Sequence, residues 1–195
     1  MNIGPGLFIT GPSRSGTSML AGLFHAHGVF FGRTVEGDED NRKGYFEHPE
    51  LISRVESKVT AGWPEAWWKI MKSEGYIPGH WWGVKRGPRS WPWVRQLKPD
   101  LMVICKRSVS EVAGSRARSM KFNHGDPERI VRRARKRINA MAREAQCPVL
   151  TVNTSAVIRG DYQRLIRAFE KLGLWFDPEI ADQWIDRTLW NGGEG

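Results

Sequence analysis

Residues 6–28 begin with a short apolar run, Gly6-Leu7-Phe8-Ile9-Thr10, followed by a loop of small residues, Gly11-Pro12-Ser13-Arg14-Ser15-Gly16-Thr17-Ser18. Apolar residues then recur at Leu20, Leu23 and Phe24. The order predicts a strand, a phosphate-type loop and an amphipathic helix. A glycine-bounded loop that feeds a helix start leaves several backbone N–H groups unpaired at the positive end of the helix dipole, which is an anion site. Ser15, Thr17 and Ser18 can add hydroxyl donors, and Arg14 a permanent forked cation. The spacing of Gly11 and Gly16 matches the first half of a nucleoside-triphosphate loop, but Thr17 stands where that loop has lysine.

The rest of the chain alternates strand-like and helix-like stretches. Residues 28–32 read as a second strand or an extended entry to the site, and residues 33–44, rich in acidic residues, as a surface loop. Pro49 opens a helix carrying Leu51, Ile52, Val55 and Val59. Residues 63–93 hold seven tryptophans, read either as packing or as a wall for an acceptor molecule. Trp82-Gly83-Val84-Lys85 is a further strand, and Leu101-Met102-Val103-Ile104-Cys105 has the continuous apolar character of a central parallel strand. Helices are expected over 109–121, from Asp126-Pro127, over 162–172 and from Asp177-Pro178, with a strand over 148–153. These elements predict a single α/β domain over residues 1–190, a P-loop-type three-layer fold with a central parallel β-sheet flanked by helices, and a frayed tail over 191–195. Ligands of such sheets bind at the carboxyl ends of the strands, which gathers the loop after Thr10 with Lys85 and Arg107.

Charge and cysteine content narrow the class further. A formal net charge of +9 favours anionic partners without identifying them. The arginines at 129, 132, 133, 135 and 137 on one amphipathic helix fit either a solvated face or a nucleic-acid surface, the second being the weaker reading. The two cysteines lack metal-ligand spacing and read as reduced core thiols. No apolar run is long enough to span a bilayer, and the first strand starts too early for a signal peptide, so a cytoplasmic location is expected.

The loop at 12–18, together with Arg107, Glu111-Val112-Ala113 and Ser115, resembles the sulfotransferase family of bacterial and viral type, whose donor is 3′-phosphoadenosine 5′-phosphosulfate (PAPS). The segment Asn41-Arg42-Lys43-Gly44-Tyr45-Phe46-Glu47 and the lysine at 85 are similar to features of its bacterial members. The resemblance implies transfer of a sulfuryl group to a hydroxyl or amine of a small-molecule or glycan acceptor, without a metal. It implies that Ser13, Arg14, Ser15, Gly16, Thr17 and Ser18 hold the 5′-phosphate end, and that Arg107 and Ser115 clasp the 3′-phosphate. Arg14 and Lys85 would stabilise the leaving oxygen, and a carboxylate, Glu47 first and Glu36 second, would act as general base. Many relatives have Asp-Pro after the clasp arginine, whereas Ser108-Val109 follows Arg107 here. The rival readings are a phosphate-loop kinase of a nucleotide or small molecule, which needs the loop lysine and an acid for Mg²⁺, and a non-enzymatic nucleic-acid binder.

Overall fold

The computed structural model describes residues 3–39, 41–118 and 126–186. In chain order these residues form strand β1 (Gly6–Thr10), helix α1 (Thr17–Ala26), α2 (Pro49–Ser57), α3 (Trp63–Ser73) and β2 (Trp82–Lys85). A 3-10 turn (Pro88–Ser90), α4 (Trp91–Val94) and a second 3-10 turn (Arg95–Leu97) lead to β3 (Leu101–Lys106). Then come α5 (Val109–Arg118), α6 (Pro127–Glu144), β4 (Val149–Asn153), α7 (Thr154–Ile158), α8 (Gln163–Lys171) and α9 (Pro178–Trp184). The four strands make one parallel sheet in the order β2-β1-β3-β4.

Side-chain alternation along the strands builds the two faces. Leu7, Ile9, Leu101, Val103 and Cys105 join α1, α8 and α9 in one buried cluster. Phe8, Val84 and Met102 join α3, α4 and α6 in the other. Because both faces are covered, β1 is fully buried and reads as an uninterrupted apolar run. Phe24 of α1 stacks on Phe169 of α8 at 4.3 Å, and Phe8 stacks on Trp91 at 5.9 Å. The expected α/β three-layer architecture is present.

Helix starts follow the local signals. Asp126 and Asp177 accept hydrogen bonds from the N–H groups of Glu128 and Glu179, with proline at the first helical position of each helix. His48 does the same for α2, where its Nδ1 accepts from the Glu50 N–H.

The structure corrects several sequence readings. Residues 28–32 contribute a single bridge, Phe30 to Trp82, and no strand. Val59 falls beyond the end of α2 and is 44 % exposed. Trp63, Trp67, Trp68 and Met71 form the buried face of α3, a helix that the tryptophan-rich stretch was not expected to hold. With Trp82 and Trp91 buried in the same cluster, packing accounts for most of the tryptophans. The helix expected over 109–121 is described as far as Arg118, and the tail at 191–195 lies outside the described residues. Among the described residues, no helix is long and apolar enough to cross a membrane.

The last described helix is locked onto the first by one tight contact. Trp184 of α9 lies against Gly22 of α1, where a Cβ would stand 1.9 Å from the indole Cζ2, and its Nε1–H donates to the Met19 carbonyl at 3.0 Å. Gly22→Ala is therefore expected to cost about 1–3 kcal/mol by overpacking, read as a melting temperature lower by several degrees. Combining it with Trp184→Leu should recover part of the loss, because the two changes share one contact.

Candidate active site

The carboxyl ends of β1, β2 and β3 open into a cavity of about 1250 Å³. The loop between β1 and α1 forms its floor through Gly11, Ser13, Arg14, Gly16, Thr17 and Ser18. Arg14 and Gly16 take left-handed φ values of 71° and 85°. Alternation of left- and right-handed residues is the backbone pattern of a nest, in which successive N–H groups can face one anion. At Gly16 a side chain would be strained and would also press on Thr154, whose Cβ lies 3.0 Å from the position of an added Cβ. The Thr154 hydroxyl fixes the loop from below, donating to the Ser15 carbonyl at 2.8 Å and reaching the Lys106 carbonyl at 3.2 Å. The sequence reading missed this brace, although Asn153-Thr154-Ser155 carried a helix-cap signal.

Ser15 departs from its expected role. It is fully buried, its N–H closes a turn on the Pro12 carbonyl, and its Oγ sits 2.5 Å from where a Gly11 Cβ would stand. It does not line the cavity. Its Oγ makes no hydrogen bond among the described residues, so the loop keeps a buried polar atom in reserve beneath it.

Arg14 reaches from the loop to α5, where its Nε donates to Ser115 Oγ at 3.2 Å. Arg107, 4 % exposed at the end of β3, donates from Nη1 to the Arg14 carbonyl at 3.3 Å, and its Nε stands 3.8 Å from Glu111. Burial alone would raise the Glu111 pKa, but the Ser108 hydroxyl and N–H, the Ser155 hydroxyl and the Arg107 charge outweigh it and hold the carboxyl below its usual value. Arg135 of α6 donates to the Arg107 carbonyl. Arg116, which the sequence reading did not single out, also lines the cavity; burial and the neighbouring Arg14 charge lower its pKa. Two guanidinium groups held together in this way favour an anion between them.

At the end of β2, Lys85 is 5 % exposed and donates from Nζ to Glu47 Oε1 at 2.6 Å, while Arg86 pairs with the other carboxylate oxygen. Burial lowers the Lys85 pKa, and the Glu47 charge and hydrogen bond only partly offset it. Glu47 is aimed by its own segment: Val35 N–H donates to the Glu47 carbonyl at 2.9 Å, and the Tyr45 hydroxyl donates to Asp38 at 2.9 Å. His48, 4 % exposed, continues the anchor through a 3.0 Å contact with Glu74. Glu36 is exposed on the same loop and does not line the cavity, so the two carboxylates proposed as base are not brought together.

The rim is closed by Lys43, which donates to the Trp184 carbonyl and lies over the Trp184 ring at 4.9 Å from its centroid. The basic helix α6 is part of the same cavity rather than a separate surface, since Ile130, Arg133, Ala134 and Arg137 line it.

No family model matches the sequence, and no curated protein matches it. Among solved structures, the chain is similar to the sulfotransferase domain of the Synechococcus PCC 7002 olefin synthase, at 15 % identity and a TM-score of 0.59, over 99 % of this chain and 82 % of that one. It is also similar to sulfotransferase STF1 from Mycobacterium tuberculosis H37Rv, at 13 % identity and a TM-score of 0.58, over 93 % of this chain and 70 % of that one. The chain therefore has the fold of the sulfotransferase domains, an α/β fold whose first strand leads through the loop at 11–16 into the first helix.

Proposed function

We propose that the protein transfers a sulfuryl group from PAPS to a hydroxyl or amine of an acceptor. The observation that carries this reading is the linked set Arg14–Ser115–Arg107 beside the loop nest, which offers two anion positions in one cavity. A donor with phosphates at both ends of its ribose needs two such positions. The residues present fit it: the nest, the hydroxyls of Thr17 and Ser18 on the cavity floor and the Arg14 and Arg116 charges suit a 5′-phosphosulfate, and Arg107 with Ser115 suits a 3′-phosphate.

When bound, PAPS supplies an activated sulfuryl group. Arg14 and the loop N–H groups hold its 5′-phosphate, and Lys85 presents an ammonium proton to the oxygen that gains charge as the sulfur–oxygen bond to that phosphate breaks. Glu47 receives the proton of the acceptor as the new bond to sulfur forms. The ion pairs with Lys85 and Arg86 keep the carboxylate at the cavity wall. A kinase reading is disfavoured by Thr17 in place of the loop lysine and by the basic pair Lys106-Arg107 at the end of β3.

3′-Phosphoadenosine 5′-phosphate (PAP), without Mg²⁺, is expected to raise the melting temperature. At one hundred times its dissociation constant the stabilisation is about 2.7 kcal/mol, equivalent to several degrees. A shift with ATP that requires Mg²⁺, and none with PAP, overturns the assignment.

A further inference from the structure

The cavity holds more positive charge than its proposed donor uses. Among the described residues, ten lysines and arginines line it against three carboxylates. Arg14, Arg107 and Arg116 stand with the nest, and Lys85 and Arg86 share Glu47. A separate basic wall remains. Its centre is the 3-10 turn Pro88–Ser90, which touches both α2 and α6 and carries Arg89. Arg133 and Arg137 reach the cavity from α6, and Lys58 from just beyond α2. The volume also exceeds the roughly 300–1,000 Å³ of an ordinary single-ligand pocket, which leaves room for an acceptor beside the donor.

Glu56 of α2 also lines the cavity, but among the described residues it forms no ion pair with the arginines of this wall. Arg132 of α6 pairs with Glu128 at 3.0 Å, and Arg54 of α2 pairs with Glu50 at 2.9 Å. The side chains of Arg89, Arg133 and Arg137 make no ion pair or hydrogen bond among the described residues. Arg133 and Arg137 stand four residues apart on one helix face, an arrangement in which like charges repel. An anion between them would turn that repulsion into attraction. The wall is continuous with the proposed reacting centre, because β2 ends at Lys85 and the chain runs through Arg86 and Gly87 directly into the turn that bears Arg89.

Resting on the sulfuryl-transfer reading, we infer that the acceptor is itself anionic: a hydroxyl or amine compound carrying a phosphate, sulfate or carboxylate group that docks on Arg89, Arg133 and Arg137 while its nucleophile faces Glu47. The net positive wall selects such a compound by attraction, and the forked guanidinium groups match its oxyanions in pairs.

Inorganic pyrophosphate is a suitable probe. The protein is first saturated with PAP, which fills the donor positions, and pyrophosphate is then titrated at low ionic strength while melting temperature is followed. The wild type should show a second, saturable upward shift. Arg133→Gln with Arg137→Gln should weaken pyrophosphate binding at least tenfold and leave the PAP affinity as it was. No second shift, or a double variant that binds pyrophosphate as tightly as wild type, overturns the inference while leaving the donor assignment intact. Loss of PAP binding in the double variant also overturns it, by placing these arginines in the donor site. Absence of any PAP shift in the wild type removes the donor assignment and this inference with it.

Discussion

Glu47→Gln is expected to lower kcat about 10²–10⁴-fold, the usual contribution of a positioned general base. Glutamine keeps the shape of the side chain but cannot take a proton. It also removes the counter-charge of Lys85, which is 5 % exposed and bonded to Glu47 at 2.6 Å. Two roles are therefore open to separation by pH. If Glu47 served only to keep Lys85 protonated, the variant would regain activity at low pH, where Lys85 is charged without help. A base leaves a deficit at every pH. The expected result is the second, with the PAP-induced melting shift retained as proof that the variant folds and binds. Recovery at low pH, or full transfer activity in the variant, overturns the assignment of the base.

Lys85→Met is expected to lower kcat about 10²–10³-fold, the loss typical when one donor to a developing oxyanion is removed. Methionine fills a similar volume without a charge, so the packing beside Cys105 is largely kept. The pH dependence gives a second signature. Burial lowers the Lys85 pKa despite the Glu47 charge, so the activity should fall on the alkaline side below the ordinary lysine range, as the ammonium proton is lost. Stability moves the other way. Between the lowered folded pKa and the unfolded value of 10.5, the unfolded chain binds the extra proton, so the Lys85 contribution to folding free energy rises with pH. Activity should thus fall while this stability contribution rises over one pH window, and Lys85→Met should abolish both trends. Rate profiles and urea unfolding across that window check the pair. An alkaline limb unchanged in the variant rules out Lys85 as its source.

The parts of the fold that were legible in the sequence are those set by local physics. Asp126-Pro127 and Asp177-Pro178 start helices because a side-chain oxygen and a proline satisfy the first turn without help from elsewhere. The run at 101–105 reads as a strand because both its faces are covered. The residues missed depend on distant partners. Residues 28–32 look like a strand, but only Phe30 meets the edge of β2, and the chain leaves at once. Trp63, Trp67 and Met71 fall at helical spacing, a signal hidden by attention to the indoles themselves. Arg116 follows Ser115, and nothing local marks it; its place beside Arg14 arises only when α5 packs near the loop. Ser15, a natural hydroxyl donor by type, is turned inward by the tight path through Gly11. Glu36 and Glu47 are alike in sequence, and the ion pairs at the end of β2 separate them.

The same tight path has a consequence for the thiol beneath it. A Cβ on Gly11 would touch the Cβ of Cys105 at 3.0 Å, so the loop after β1 lies as a roof over that buried side chain. Burial pushes the Cys105 pKa up and keeps the sulfur protonated and inert. An alkylating reagent reaches it only when the structure around it opens, so the labelling rate of this cysteine is a clock for that opening, and a ligand that holds the loop in place is expected to slow the clock.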